Sequence, residues 1–256
     1  MKAPGFVEAS MHQHHRTKGF VLTKKNSGEA DQIFVLYTQD FGKIELVGKA
    51  IRKITSKLKS SIDVFYFIEA EFIQGKKQKI LTDAIVIEKF LKLRKNQEAL
   101  ACVSQISQAV CLLIPTEKKD DAIWSLLFEA ITKINDLSLK IENYKLKIIL
   151  NYFVWNFFAL LGFLPELYNC PVCLTSLLPE TFFLSPCHGG IICWRCCKKA
   201  KQENKLLLVE EISVNAVKTI RFLLKEPFEK CQKLTCHQKD IKDLEKLGEL
   251  YFNFLS

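Results

Sequence analysis

Two pairs of cysteines constrain this chain more than any other feature of its sequence. Cys170 and Cys173 form one C-x₂-C pair, Cys193 and Cys196 form another, and nineteen residues separate the two pairs. Each pair directs two thiolates toward one point, and two pairs complete a tetrahedron with sulfur about 2.3 Å from a zinc ion. Four thiolates leave no coordination position open to water. The spacing therefore predicts one structural Zn²⁺ without a catalytic role.

Other cysteine and histidine residues lie close to these pairs. Cys187 and His188 fall between them, and either residue is an alternative for one of the four ligands. Cys197 directly follows Cys196 and points elsewhere if Cys196 binds the metal. A zinc nucleotide deaminase also uses a C-x₂-C pair, but its His-x-Glu motif is missing from the sequence. The remaining alternative is a group of reduced, buried thiols without metal.

The start of the chain and its most apolar segment indicate where in the cell the chain is located. Residues 1–15 contain no long apolar stretch, so we expect no secretory signal and a reducing cytoplasm, where paired cysteines indicate metal before disulfides. Residues 148–164 are apolar, but Asn151 and Asn156 interrupt them and their length is at the lower end for a membrane span. We expect a buried helix there and no membrane partner.

Residues 16–88 have the pattern of a small β-barrel. Five segments rich in β-branched and aromatic residues are separated by turn signals at 26–28, 40–42 and Gly75. Five strands in about seventy residues fit the five-stranded OB-fold. Residues 1–15 are then a flexible lead.

From residue 95 the apolar residues change to helical spacing. The pattern predicts helices over 95–114, 120–137, 141–164, 213–225 with Ser213 as its cap, and 239–255. Residues 166–200 are rich in Pro, Cys and Gly, and we expect no regular helix in them. The expected class is α+β, with an OB-fold at 16–88, an α-helical domain at 89–165 and 205–256, and an inserted zinc module at 166–204.

Positive charge is concentrated on the predicted barrel. The chain has 37 Lys and Arg against 28 Asp and Glu, a net charge of +9. Residues 16–80 hold thirteen of these cations and seven acids, a net +6 on about a quarter of the length. This concentration favours contact with a phosphate backbone, without base recognition, over a merely solvated loop. The candidate DNA-binding residues are Lys24, Lys25, Lys49, Arg52, Lys53, Lys57 and Lys59.

Aromatic residues of the barrel are candidates for stacking on bases, although most of them are needed for its core. These are Phe20, Phe34, Tyr37, Phe65, Tyr66 and Phe67. The sequence has no P-loop, G-x-S-x-G, H-E-x-x-H or acidic metal cluster, so we expect no enzymatic activity.

Several short motifs occur in an order that resembles the RecO family of recombination mediators. They are the first strand at 17–22, the G-E-x-D turn at 28–31, Thr38 with Gly42, the basic segment at 49–57, the 161–165 segment before the first cysteine pair, and 183–186 with 189–190 before the second. The basic segment departs from the family pattern at one place, where Ala50-Ile51 stands for the usual Gly-Ala. The order of the motifs over residues 17–196 carries the resemblance.

The resemblance implies a function and a set of partners. RecO-like proteins bind single- and double-stranded DNA, anneal complementary strands and, with RecR, help RecA displace single-strand-binding protein. It also implies that the cysteine pairs, rather than Cys187 or His188, bind the zinc, and that the chain acts in DNA repair at the bacterial nucleoid. Two alternatives are a zinc-ribbon factor of transcription or translation and a protein-binding scaffold with incidental charge.

Overall fold

The computed structural model describes residues 13–140, 142–178, 182–202 and 209–255, and it divides into two compact units. The barrel unit extends to Lys89 and includes Pro115–Lys119, and the helical unit comprises Phe90–Ile114 and the chain from Asp120. The sequence assigns 115–119 to the helical domain, but Glu117 N–H donates to the Lys43 carbonyl and ties this segment to the barrel. Residues 1–12 of the expected lead and the expected module boundary at 204–205 lie outside the described residues.

Five strands close the barrel in the order β1-β2-β3-β5-β4. They are β1 (His14–Ser27), β2 (Asp31–Thr38), β3 (Gly42–Gly48), β4 (Phe67–Gln74) and β5 (Lys79–Glu88). All pairs are antiparallel except β3 with β5, and this arrangement confirms the five-stranded OB-fold. β1 begins two residues before the expected domain start, because His14 and His15 pair with Ile73 and Phe72 of β4.

The turn between β2 and β3 explains the Thr38 and Gly42 motif. The Thr38 hydroxyl accepts the Phe41 N–H and donates to the Gly42 carbonyl, which closes the turn. Gly42 has φ +64°, and a Cβ at this position would lie 2.1 Å from the Lys118 carbonyl oxygen. Only glycine fits both the backbone conformation and the close approach of the neighbouring chain.

The helical unit is built around one apolar helix. Its helices are α1 (Gln97–Leu113), α2 (Asp121–Leu137), α3 (Asn143–Leu160), α4 (Trp194–Gln202), α5 (Val214–Lys225), α6 (Phe228–Cys231) and α7 (Gln238–Leu255). α3 contacts α1, α2, α5, α6 and α7, and it buries Phe153, Trp155 and Phe157 completely. In the described part of the chain, none of the helices combines the length and apolarity that crossing a bilayer requires.

Short polar side chains begin three of these helices. The Asn96 and Asp120 side chains accept backbone N–H groups of α1 and α2, and the Ser213 hydroxyl accepts the Ala216 N–H of α5. These bonds satisfy amides that have no partner inside the helix. The predicted cap at Ser213 is therefore confirmed.

The cysteine-rich segment forms a small sheet and a helix. β6 (Phe182–Ser185) pairs with β7 (Gly190–Cys193) and β8 (Glu210–Ile212) in the order β7-β6-β8. The expectation that 166–200 holds no regular helix is wrong at its end, where α4 begins at Trp194. The Pro and Gly residues that break regular structure stop at Gly190, so they leave α4 uninterrupted.

Candidate metal centre and nucleic-acid interface

A short backbone pairing brings the two cysteine pairs together. Glu166 N–H donates to the Gly189 carbonyl at 2.8 Å, and Ile191 N–H donates to the Glu166 carbonyl at 2.9 Å. Gly190 lies so close to Glu166 that a Cβ would be 2.5 Å from its carbonyl oxygen, and this contact accounts for the second glycine of the Gly-Gly motif. The register sets Cys170, four residues after Glu166, near Cys193, three residues after Gly190.

Each cysteine pair sits in a tight local structure. In the first pair, Leu174 N–H donates to the Cys170 carbonyl and Cys170 N–H donates to the Thr175 carbonyl, which curls the chain into a knuckle. In the second pair, Cys193 ends β7 and Cys196 lies in the first turn of α4. A turn on one side and a strand-to-helix junction on the other therefore direct all four thiols to one place.

The four sulfur atoms fit a single metal ion. The Sγ atoms of Cys170, Cys173, Cys193 and Cys196 all lie within 4.8 Å of one another. Zn–S bonds of about 2.3 Å in a tetrahedron require an S–S edge of about 3.8 Å. The Cys173 and Cys193 sulfurs are 3.8 Å apart, so this edge already has the required length. Four soft thiolate ligands can hold one ion and leave no site for water.

The environments of two of these thiols shift their pKa values in opposite directions. The Thr175 hydroxyl, 3.0 Å from Cys173 Sγ, and the Thr175 backbone hydrogen bond lower the pKa of the Cys173 thiol to about 6. Burial raises the pKa of the Cys196 thiol, and its hydrogen bond with Cys173 raises it further. The Cys173 thiol therefore ionises more readily than the Cys196 thiol.

The neighbouring Cys187, His188 and Cys197 lie outside the four-thiol group. Cys187 is exposed on a 3₁₀ turn, and His188 Nδ1 is 2.8 Å from the Ser185 hydroxyl. Cys197 is buried in an apolar cluster with Phe183 and Ile192. Neither cysteine is therefore part of the metal site: Cys197 packs in the apolar cluster, and Cys187 faces solvent.

The basic segment after β3 is fastened to the turn between β1 and β2. The Asp31 carboxylate accepts the Ala50 N–H and the Lys49 ammonium, each at 2.7 Å. Arg52 N–H donates to the Ala30 carbonyl, and the Arg52 guanidinium donates to the Gly28 carbonyl at 3.4 Å. The Ala50 N–H and Lys49 lower the pKa of Asp31, which therefore stays ionised. The G-E-x-D turn is the anchor of the basic segment.

Three of the seven predicted cations line one cleft of the barrel unit. Lys24, Arg52 and Lys59 surround it together with Asn26, Gln32, Ile51, Ile62 and Asp63, and its volume is about 580 Å³. Lys24 pairs with Asp63 at 2.5 Å. Within the described residues, Arg52 and Lys59 form no ion pair with a carboxylate, so the cleft keeps a net positive charge. Its walls are polar and cationic, as contact with a phosphate backbone requires.

The other four predicted cations are not among the residues that line the cleft. Lys49 is held by Asp31, while Lys25, Lys53 and Lys57 are exposed. The stacking candidates Phe20, Phe34, Tyr37 and Phe67 are buried in the barrel, and Phe65 and Tyr66 are half-buried. Sequence reasoning missed Ile54, whose side chain is 96% exposed between Arg52-Lys53 and Lys57. The sequence could have indicated this residue, because Ile54 is an isolated apolar residue within a run of cations.

Residues 11–90 match the family model for the recombination protein O N terminal, and residues 94–255 match the model for the recombination protein O C terminal. The chain belongs to the RecO family. Two similar relatives are the DNA repair protein RecO of Dehalococcoides mccartyi, 28% identical over 90% of this chain and 86% of the relative, and that of Caldanaerobacter subterraneus subsp. tengcongensis, 26% identical over 86% and 84%.

The departure of this chain from the RecO pattern has a structural counterpart. Ala50, which stands where RecO proteins usually have glycine, has φ +52°. That conformation favours glycine, because a Cβ crowds the backbone there. The hydrogen bond from Ala50 N–H to Asp31 holds the residue in this conformation.

Proposed function

We propose that this RecO-family chain is a non-enzymatic recombination mediator in DNA repair that binds single- and double-stranded DNA on its barrel. The observation that carries the proposal is the cleft in which Lys24, Arg52 and Lys59 meet, on a loop fastened by Asp31. Lys25, Lys49, Lys53 and Lys57 extend the positive surface around it. Backbone phosphates bind these cations without base recognition.

The proposed mechanism is electrostatic. Two DNA strands repel each other through their phosphates, and the cations of the barrel lower that repulsion by binding both backbones. The bases then remain accessible and select the complementary strand by pairing. With RecR as a partner, the same activity would help RecA replace single-strand-binding protein at the bacterial nucleoid.

The four-cysteine group is proposed to hold one Zn²⁺ with a structural role. The soft thiolate donors and the 3.8 Å sulfur edge support this choice of metal. Cys170 and Cys173 on one side, and Cys193 and Cys196 on the other, would be linked through the ion. The metal would replace the apolar core that a segment this short cannot supply by itself.

A salt series with purified protein tests the DNA-binding proposal. Five contacts from Lys49, Arg52, Lys53, Lys57 and Lys59 predict a log–log slope of affinity against salt of about −3.5 on single strands. The triple variant R52A/K57A/K59A removes three exposed cations, so the slope should become shallower by about 2. Annealing of complementary oligonucleotides should be lost in the same variant.

A matched variant separates local contact from a change in net charge. K18A/K76A/K77A also removes three exposed cations of the barrel unit, none of which lines the cleft. We expect it to retain the wild-type slope and annealing. An equal effect of both triple variants would refute the assignment of the DNA site to the cleft, and salt-independent binding by the wild type would refute DNA binding through phosphates.

A further inference from the structure

We propose that α4 and Trp194 form a second nucleic-acid surface, on the helical unit, which stacks on and holds a single strand. This surface shares no residue with the barrel cleft and rests on separate observations. It adds base stacking to the backbone contacts proposed above. Its partner is an unpaired nucleic-acid strand, since a base stacked inside a duplex exposes no face to an aromatic ring.

The charge on α4 is the first observation. The helix has nine residues and carries Arg195, Lys198, Lys199 and Lys201, all exposed. These four cations span about 9 Å along the helix axis. The sequence from Phe182 to Gln202 contains no Asp or Glu. The neighbouring strand β8 carries two carboxylates, Glu211 and Glu210, of which Glu210 pairs with Lys246, so the four cations outnumber them two to one.

The environment of Trp194 is the second observation. Its side chain is 48% exposed at the beginning of α4, and its ring lies 6.2 Å from the Phe183 ring at an angle of 31°. Packing on Phe183 therefore supports the indole on one side while much of it stays open to solvent. A supported, half-exposed indole is the kind of platform on which bases stack in proteins that bind single strands.

The helical spacing places the aromatic ring beside the cations. Trp194, Lys198 and Lys201 follow at i, i+4 and i+7, so they share one face of α4. Cys197 is buried and Cys196 is directed to the four-thiol group, so these two residues anchor the inner side of the helix in the module. The exposed face thus combines one stacking group with cations at the spacing of one helical turn.

This composition fits a nucleic-acid strand better than a membrane surface. A helix that lies in a bilayer interface needs a broad apolar face along its length. The exposed residues of α4 are Trp194, four cations and Gln202, so a single side chain supplies the apolar contact. One aromatic ring among phosphate-binding cations matches the arrangement of a strand-binding groove.

Titration with oligothymidylate and with a duplex of the same length tests the proposal in the full-length protein. W194A should weaken binding to the single strand about tenfold, while duplex binding stays unchanged. W194F keeps an aromatic ring and should bind the single strand nearly as well as the wild type. K198A/K199A/K201A should make the salt slope on the single strand shallower by about 2. Oligothymidylate should quench the wild-type tryptophan fluorescence, and W194F should lose that quenching.

Controls separate this surface from the fold and from the barrel cleft. K233A/K239A/K242A removes three exposed lysines elsewhere in the helical unit and should bind like the wild type. Each variant is compared with the wild type by metal content and circular dichroism. If the α4 variants fold and bind like this control while R52A/K57A/K59A loses DNA, the second surface is refuted and the barrel site stands. Binding of α4 to vesicles rich in phosphatidylglycerol, with no effect of its variants on oligothymidylate, would also refute it.

Discussion

Gly42→Ala tests the close approach of the chain that ties residues 115–119 to the barrel. The new Cβ would meet the Lys118 carbonyl oxygen at 2.1 Å, so the segment must move. The movement would break the hydrogen bond from Glu117 N–H to the Lys43 carbonyl, worth about 1 kcal/mol. The φ of +64° adds about 1–2 kcal/mol for a residue with a side chain. With about 0.4–1 kcal/mol subtracted for the smaller entropy of unfolded alanine, barrel opening should become easier by about 1–2.5 kcal/mol.

Gly28→Ala is the matched control for this prediction. Gly28 has nearly the same backbone conformation, φ +60°, but a Cβ there has no neighbour within 4 Å. The strain of about 1–2 kcal/mol is partly offset by the unfolded-state term, so the net cost should be about 1 kcal/mol or less. The difference between the two variants isolates the contact with Lys118.

Hydrogen exchange measured by mass spectrometry on peptides from β2 and β3 can report the destabilisation of the barrel in both variants. Amides of these strands should exchange about 5- to 70-fold faster in G42A and up to about fivefold faster in G28A, since a tenfold change corresponds to about 1.4 kcal/mol. All three tryptophans lie in the helical unit, so its fluorescence-detected unfolding should not change. Equal acceleration by G42A and G28A would show that backbone conformation alone requires Gly42, and the reasoning from the Lys118 contact would fail.

Two further predictions concern the metal centre and the basic loop. C170S/C193S removes one ligand from each pair, so metal content should fall from about one zinc per chain to a trace. The loss of roughly 10–16 kcal/mol of binding energy should expose residues 166–202 to hydrogen exchange. C187S should keep the metal, and retention of the metal by C170S/C193S would contradict the assigned ligands. The Ala50 N–H and Lys49 lower the pKa of Asp31 from its ordinary value of 3.8. The ionised Asp31 carboxylate therefore stabilises the loop fully above pH 3.8, and this stabilisation is lost as the pH falls through the lower pKa of the folded state. The Ala50 amide resonance should titrate with a midpoint below 3.8, D31N should abolish that titration, and a midpoint at or above 3.8 would argue against the hydrogen bond.

The sequence predicted the elements whose residues repeat regularly over many positions. β3 and β4 alternate in burial over most of their length, and α1, α2, α5 and α7 have apolar faces at helical spacing, so these elements were found within a few residues. α3 was expected to end at 164, but the helix ends at Leu160. The cysteine pairs were also predictable, because each knuckle is a local structure and their separation is short.

Contacts between segments that are distant in sequence could not be predicted from such patterns. Nothing local to 115–119 shows that it pairs with Lys43, and nothing in the G-E-x-D turn shows that Asp31 holds Ala50. Burial of most of the barrel aromatics was anticipated, but the identity of the half-buried ones depends on the bulge in β1 and on the positive φ of Phe65. These features are decided by tertiary packing, which overrides local propensity.

α4 forms although its short length and its like charges disfavour a helix. An isolated helix of nine residues is marginal in water, and its like charges at i and i+3 or i+4 repel one another. The helix forms because Cys197 is buried beneath it and Cys196 belongs to the four-thiol group, so its inner face is held from outside the helix. The repulsion among Arg195, Lys198, Lys199 and Lys201 then persists in the folded protein. A bound phosphate backbone would relieve it, so the same anchoring that makes the helix possible leaves a surface that favours an anionic strand.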